Sequence, residues 1–450
     1  MTKQLGSLSE REKTVSKASV YVAVASDILH EGILNVISRA AELGEVTVGL
    51  MSDEAIATYK RVPLLPYESR AHVYTSLRDV ARVVRQDTLS YRENLLALRP
   101  DYVVHGDDWD EGPQAVVRAE VLNLLSQWGG ELVEVPYTRG VSATSLEARL
   151  REFRRSPDAR RGSLRQLLRL KPYLRFIEAS NGLGGLIVEN TGVTDTRTGQ
   201  VRSFDGMWVS SLCDSTLKGK PDIELVDFTS RLNTIQEIME VTTKPIILDG
   251  DTGGRTEWFT HNVRTLERIG VSAVIVEDKV GLKQNSLFGT ERVQQQDDPH
   301  AFAAKIAAGK RAQRTQDFMI VARIESLIAD AGLEDALSRA KTYVGEGGAD
   351  AVMIHSRDAS GEDVTQFMAA FKAEFPEVPI VLVPTTYNHL TEDELAARGA
   401  SVIIHANHLL RASYLAMRNV AESILEHGRS KEADALCLPI KDVLTLIPEE

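Results

Sequence analysis

From position 174 onward the chain repeats one pattern: a short apolar run, a polar or charged residue at or just past its end, then a stretch of helical periodicity. The runs fall at 174–179, 206–211, 246–249, 273–277, 319–323, 351–355, 379–383 and 401–405. Eight strands alternating with helices predict a (β/α)₈ barrel of the TIM type. No tandem sequence repeat accompanies the pattern, so the repetition is architectural. A shorter alternation precedes it. Strand-like runs at 20–25, 46–50, 102–104 and 132–135 are interleaved with helical patterns at 33–43, 77–84 and 115–127, which predicts an α/β layer with a mostly parallel sheet.

The two halves meet at a change of composition. Eight arginines lie from Arg149 to Arg169, with Ser156, Pro157, Asp158 and Gly162 among them. Such a stretch reads as an exposed linker. The expected organisation is an N-terminal domain at 18–150, a linker at 151–162 and the barrel at 163–450, with the boundary near Arg160. An apolar fraction of 43% over 450 residues supplies cores for both. The net charge of −12 argues against nucleic acid or an anionic membrane as a partner. Two cysteines, Cys213 and Cys437, offer neither a disulfide framework nor a cysteine zinc site. The opening MTKQLGSLSEREK lacks the apolar core of a signal peptide, and no run of about 18 apolar residues occurs. A cytoplasmic protein acting on a small molecule is expected.

Chemistry gathers at the ends of the barrel strands. Trp208, Ser210 and Ser211, then Asp249 and Asp251, then Glu277, Asp278 and Lys279, then Arg323 and Glu325, then His355 and Ser356 all fall there. Barrel enzymes place their active sites at that face. Asp249, Asp251, Glu277 and Asp278 offer hard oxygen ligands, which suit Mg²⁺ or Mn²⁺. Arg323 and His355, with Lys283 from the following loop, can neutralise a phosphate or carboxylate.

Here a resemblance becomes specific. Glu277-Asp278-Lys279, five residues, then Asn285-Ser286 matches the E-D-K and N-S signature of the phosphoenolpyruvate mutase family, within the isocitrate lyase/phosphoenolpyruvate mutase superfamily. LDGDTGG (248–254), IVARIES (320–326), MIHS (353–356), VPT (383–385) and HANHLLRAS (405–413) extend the match over 163–424. The resemblance implies interconversion of phosphoenolpyruvate and phosphonopyruvate with Mg²⁺ at Asp249, Asp251, Glu277 and Asp278. It further implies a pyruvyl cradle of Trp208, Ser210, Ser211 and Leu212, and Asp222 near the migrating phosphoryl group. Arg323 and His355 resemble the phosphoryl-binding pair, while Lys283, Asn285 and Ser286 resemble the lid. Relatives form dimers or tetramers by exchanging the last barrel helix, here 409–426.

Neighbouring activities leave other marks. The superfamily's lyases carry a K-K-C-G-H loop, and no cysteine stands in this one. Phosphonopyruvate hydrolase shares most of these residues but tends to carry Thr where Asn285 stands. A non-catalytic metabolite-binding scaffold is the non-enzymatic alternative.

The N-terminal stretch resembles the cytidylyltransferase family through VYVAVASDILHEG, YKRVP and YTRGVSAT. That resemblance implies a Rossmann-like nucleotidyltransferase domain with His30, Lys60, Arg139, Ser142 and Thr144 at a nucleotide site. Ile33 stands where the family's second histidine belongs, so the domain is expected to be either degenerate or a CTP-dependent transferase acting on a downstream phosphonate. His105, in HGDDW, reads equally as a nucleotide-site residue or a structural histidine.

Overall fold

A computed structural model describes residues 17–26, 28–58, 62–107, 109, 114–136, 150–194, 201–281, 283–291 and 294–447. The chain divides into two compact units, Met1–Ala148 with Val193–Arg202 and Arg149–Gly192 with Ser203–Glu450. Among the described residues no helix is long and apolar enough to cross a membrane.

In the N-terminal unit β1 (Ser19–Val24), β2 (Glu45–Met51), β3 (Arg82–Gln86), β4 (Tyr102–Gly106) and β5 (Glu131–Val135) form a parallel sheet in the order β3-β2-β1-β4-β5. Alternate residues cover its two faces. Val20, Val22 and Val24 pack with Val46, Val48 and Leu50, while Tyr21 and Val103 pack with Leu95, Val121 and Leu124. The helix expected at 77–84 is a strand instead: Val83 pairs with Val48 and Val84 with Gly49. Two adjacent β-branched residues fit a half-buried strand better than a helix. The helix lies earlier, at Tyr67–Thr75.

All eight expected barrel strands are present: β6 (Leu174–Glu178), β9 (Gly206–Val209), β10 (Ile246–Asp249), β11 (Ala273–Glu277), β14 (Met319–Ile324), β15 (Ala351–Ile354), β16 (Ile380–Leu382) and β17 (Val402–His405). They close in that order through parallel pairs, β17 returning to β6. Among the described residues two short pairs accompany them, β7 (Gly192–Thr194) with β8 (Val201–Ser203), and β12 (Lys279–Val280) with β13 (Gln295–Gln296). Phe176, Trp208, Ile247, Ile275, Val321, Met353, Val381 and Ile404 fill the barrel interior. Their neighbours, such as Met207, Leu248, Val274, Ile320 and Val352, pack against the surrounding helices. Continuing each strand by two residues defines the next inward layer: Glu178, Ser210, Asp249, Glu277, Arg323, His355, Val383 and Ala406.

The expected linker is exposed at 151–153, 155, 157 and 158, but its end, from 159 to 162, is not. Residues Pro157–Leu170 form a helix whose Leu164 joins the barrel interior. Arg160 donates to the Thr242 carbonyl at 3.0 Å and Arg161 to the Glu267 carbonyl at 3.0 Å, and both side chains are buried. Their apolar stems pack while each guanidinium meets the C-terminal end of a helix, Phe228–Val241 or Thr256–Ile269.

The last long helix, His408–His427, has no buried residue. Tyr414, Met417 and Leu425 are 65%, 61% and 84% exposed. That is unusual for the eighth helix of a barrel.

Candidate active site

The strand ends enclose a cavity of about 60 Å³. Trp208, Ser210, Ser211, Leu212, Asp222, Asp249, Lys283, Asn285, Ser286, Arg323 and His355 all line it. Leu287, Met353, Val383, Thr385, Ala406 and Asn407 line it too, although the sequence singled out none of them for a role. Most of those six lie within or beside the MIHS, VPT and HANHLLRAS motifs, the signal that was available.

On the acidic side, Asp249 accepts from the Ser211 hydroxyl at 2.8 Å and the Ser211 amide at 3.2 Å. Burial alone would raise its pKa, but Lys283, Arg323 and Arg231 outweigh burial and hold the carboxyl below the usual range. Asp251 sits in the left-handed region at φ 52°. Its two carboxylate oxygens are held by Lys283 and, at 2.8 Å, by Arg231. Two buried cations thus stabilise a backbone conformation that non-glycine residues rarely adopt.

Glu277, on the strand beside Asp249, is 1% exposed and neither of its oxygens has a hydrogen-bond partner among the described residues. Its nearest cation is Arg323, at 3.4 Å. Burial pushes its pKa up to about 7, against the pull of Arg323 and Lys279. A buried carboxylate with unsatisfied oxygens beside an ionised aspartate is a donor set that fits a hard cation.

Asp278 does not belong to this group. Its carboxylate accepts from the Tyr343 hydroxyl at 2.7 Å, Gln296 at 3.1 Å and the Glu325 amide at 3.0 Å. Adjacent strand residues face opposite ways, so if Glu277 looks into the barrel Asp278 must look out at the helices. Burial raises its pKa to about 6, and the Tyr343 hydrogen bond works against that rise. Among the described residues no three His, Cys, Asp or Glu side chains stand close enough to enclose an ion by themselves.

On the next strand Arg323 stands level with Glu277 in the register, and His355 follows the end of the strand after it. Glu325, fully buried, organises them: it accepts from Arg323 Nε at 2.5 Å and pairs with Lys279 at 2.9 Å. Glu325, placed at a strand end by the sequence but given no role there, holds this wall together. Arg323 Nη2 lies 3.1 Å from His355 Nδ1. Burial and the Arg323 charge lower the His355 pKa, with Glu325 acting the other way. A neutral imidazole accepting at Nδ1 keeps its proton on Nε2.

The segment after β12 folds over the cavity. Gly281 has φ 80° with open space around it, a conformation that favours glycine. Lys283 is buried, donating to Ser211, Asp251 and, at 3.1 Å, Asp222. Burial would lower its pKa, but Asp251, Asp249, Glu277 and Asp222 raise it and keep the ammonium charged. Ser286 donates to Glu325 at 2.6 Å and accepts from Arg323 at 2.7 Å. Cys213 is fully buried, its thiol pushed up to about 12 by burial, so it is no thiolate nucleophile.

In the N-terminal unit His30 precedes the helix Glu31–Leu43 without capping it, and burial lowers its pKa. Lys60, Arg139, Ser142 and Thr144 lie outside the described residues. His105 stacks on Trp109 at 3.8 Å, and Trp109 donates to Glu134 at 2.8 Å.

A family model described as phosphoenolpyruvate phosphomutase matches residues 164–425, and one described as cytidylyltransferase-like matches 26–149. The phosphoenolpyruvate phosphomutase of Tetrahymena pyriformis is 34% identical over 288 residues, 64% of this chain and 91% of that protein. The crystal structure of a phosphoenolpyruvate phosphomutase from Streptomyces platensis subsp. rosaceus is 36% identical, with a TM-score of 0.57 over 63% of this chain and 93% of that one. A phosphonopyruvate hydrolase solved in complex with oxalate and Mg²⁺ is 31% identical, with a TM-score of 0.53 over 61% and 89%.

Proposed function

The chain belongs to the phosphoenolpyruvate phosphomutase family, and from that premise we propose that its barrel interconverts phosphoenolpyruvate and phosphonopyruvate with the help of Mg²⁺. The phosphoryl group passes between the enol oxygen and C3 of the same three-carbon unit, so one P–O bond is exchanged for one P–C bond and water takes no part. The observation that carries this reading is that Lys283 and Asn285, from the segment after β12, both bond Asp222 in a cavity that Arg323 and His355 also line.

A loose phosphoryl transfer needs positioning and charge neutralisation more than a strong nucleophile. Arg323 and the His355 imidazole hold the phosphoryl oxygens, and Asn285 donates to them from the lid. Trp208, Ser210, Ser211 and Leu212 orient the pyruvyl unit. Asp249 and Glu277, with Asp251 beside them, would hold the Mg²⁺. When bound, it stabilises negative charge on the enolate oxygen. At about 60 Å³ the cavity has room for only a few waters at roughly 10–15 Å³ each, and on this reading the lid opens to admit substrate and closes to keep water from the phosphoryl group.

A coupled assay tests this. Phosphonopyruvate with Mg²⁺ should cause NADH loss through pyruvate kinase and lactate dehydrogenase only when pyruvate kinase and ADP are present, and EDTA should abolish it. NADH loss without pyruvate kinase would mean that pyruvate is formed directly, the mark of a hydrolase.

The N-terminal unit we read as a degenerate cytidylyltransferase-like domain, because His30 is followed by Ile33 where a second histidine would meet the nucleotide phosphates. Pyrophosphate release from CTP and a phosphonate acceptor would overturn that reading. The unburied helix His408–His427 supports a homo-oligomer in which this helix packs on a second copy.

A further inference from the structure

The inward layer of the barrel has an acidic member to which the proposed reaction assigns nothing. Glu178 ends β6 two residues after Phe176, which places it in the ring that holds Asp249, Glu277, Arg323 and His355. It is 2% exposed. Its Oε1 accepts the backbone N–H of Leu409 at 2.5 Å and of Leu410 at 3.0 Å. These belong to the first turn of the helix His408–His427, which Asn407 does not cap with its side chain. The other oxygen, Oε2, is buried with no hydrogen-bond partner among the described residues.

The turn that feeds this helix is also a wall of the cavity. Ala406 and Asn407 line it, and Cys213 Sγ donates to the Ala406 carbonyl at 3.4 Å. No buried residue of the helix fixes its direction. What holds its start against the barrel is a carboxylate at the positive end of the helix dipole, a pairing that favours a charged acceptor. Glu178 also lies opposite Trp208 in the strand register, and Trp208 is itself a cavity wall.

We propose that Glu178 is a positioning residue: by capping His408–His427 it holds the Ala406–Asn407 wall in place against the bound anion. This rests on the reading of the cavity as the substrate site, but not on which reaction occurs there. It also gives the barrel a physical link between the seating of its last helix and the shape of its active site.

The test is calorimetric titration of the full chain with oxalate in the presence of Mg²⁺, which needs no turnover. Glu178→Ala should weaken oxalate binding about tenfold, the scale of a lost helix cap. Glu178→Gln, whose amide oxygen still accepts both N–H groups, should restore it to within about threefold. Combining Glu178→Ala with Asn407→Ala should bind no more weakly than the weaker single variant, because both act through one wall. Should Glu178→Ala fail to fold, Glu178→Asp, one carbon too short to reach both amides, should show the same loss. Wild-type affinity in the folded Ala or Asp variant, no rescue by Gln, or additive effects in the double variant would each overturn the proposal. A wild-type protein that binds no oxalate overturns it together with the substrate-site reading. One that binds oxalate yet turns over no phosphonopyruvate contradicts only the mutase reading.

Discussion

Asn285 Nδ2 donates to Asp222 Oδ2 across 2.8 Å, while Lys283 Nζ donates to the opposite oxygen of the same carboxylate at 3.1 Å. One aspartate outside the strand-end ring therefore receives two side chains of the lid. On the proposed reading, lid closure and the placing of groups around the phosphoryl site are a single event.

Removing that link should be costly. A hydrogen bond to a charged group contributes about 1.5–3 kcal/mol, so Asn285→Ala should lower kcat/KM for phosphonopyruvate roughly 10–100-fold with an unchanged circular dichroism spectrum. Asp222→Ala should lose at least as much, since it leaves Asn285 without its carboxylate acceptor and Lys283 with only Ser211 and Asp251. Near-wild-type kinetics in either variant contradicts the assigned roles.

Glu325 sits between Arg323, Lys279 and Ser286, fully buried. Glu325→Ala removes the nearest acid from two buried cations, Arg323 and Lys279, and leaves them the more distant Glu277, a loss of about 3–5 kcal/mol. Thermal unfolding should shift down by on the order of 10 °C. Glu42→Ala breaks an ion pair with Arg39 whose partners are 49% and 64% exposed, and should shift it little.

Glu134 gives the N-terminal unit a pH signature. Two hydrogen bonds from Arg118, then one from Trp109, lower its pKa to about 2 against the rise that desolvation brings. The folded value is depressed, so the stabilisation is complete above the unfolded value near 4.5 and is lost as pH falls towards 2. Glu134→Gln should therefore unfold earlier than wild type in urea at pH 7, and the gap should close at pH 2 to 3. A gap independent of pH contradicts this.

The unburied helix predicts self-association. Light scattering should find a dimer or tetramer for the wild type, and Met417→Glu with Leu425→Glu should yield monomer, because these exposed side chains supply the apolar face. A monomeric wild type contradicts the exchange.

The barrel and most of its site were readable in the sequence because each strand is an apolar run stopped by a polar residue. What escaped has identifiable causes. Asp278 stands beside Glu277 in the motif, but strand parity sends it to Tyr343. The same parity, Leu174 to Phe176 to Glu178, would have revealed Glu178. The arginines of Pro157–Leu170 read as solvated because composition cannot register that Arg160 and Arg161 face helix carbonyl ends. The end of the helix expected at 77–84 is strand, which the sequence did not register because its pairing to β2 is non-local.

The central claim is that the phosphoryl group moves within the substrate and never meets water. A ³¹P NMR time course of the wild-type protein with phosphonopyruvate and Mg²⁺ in ¹⁸O-labelled water tests it most directly. The phosphonate resonance should be replaced by that of phosphoenolpyruvate, free of ¹⁸O. Inorganic phosphate carrying ¹⁸O from the first time points, or no change with metal present, would contradict it.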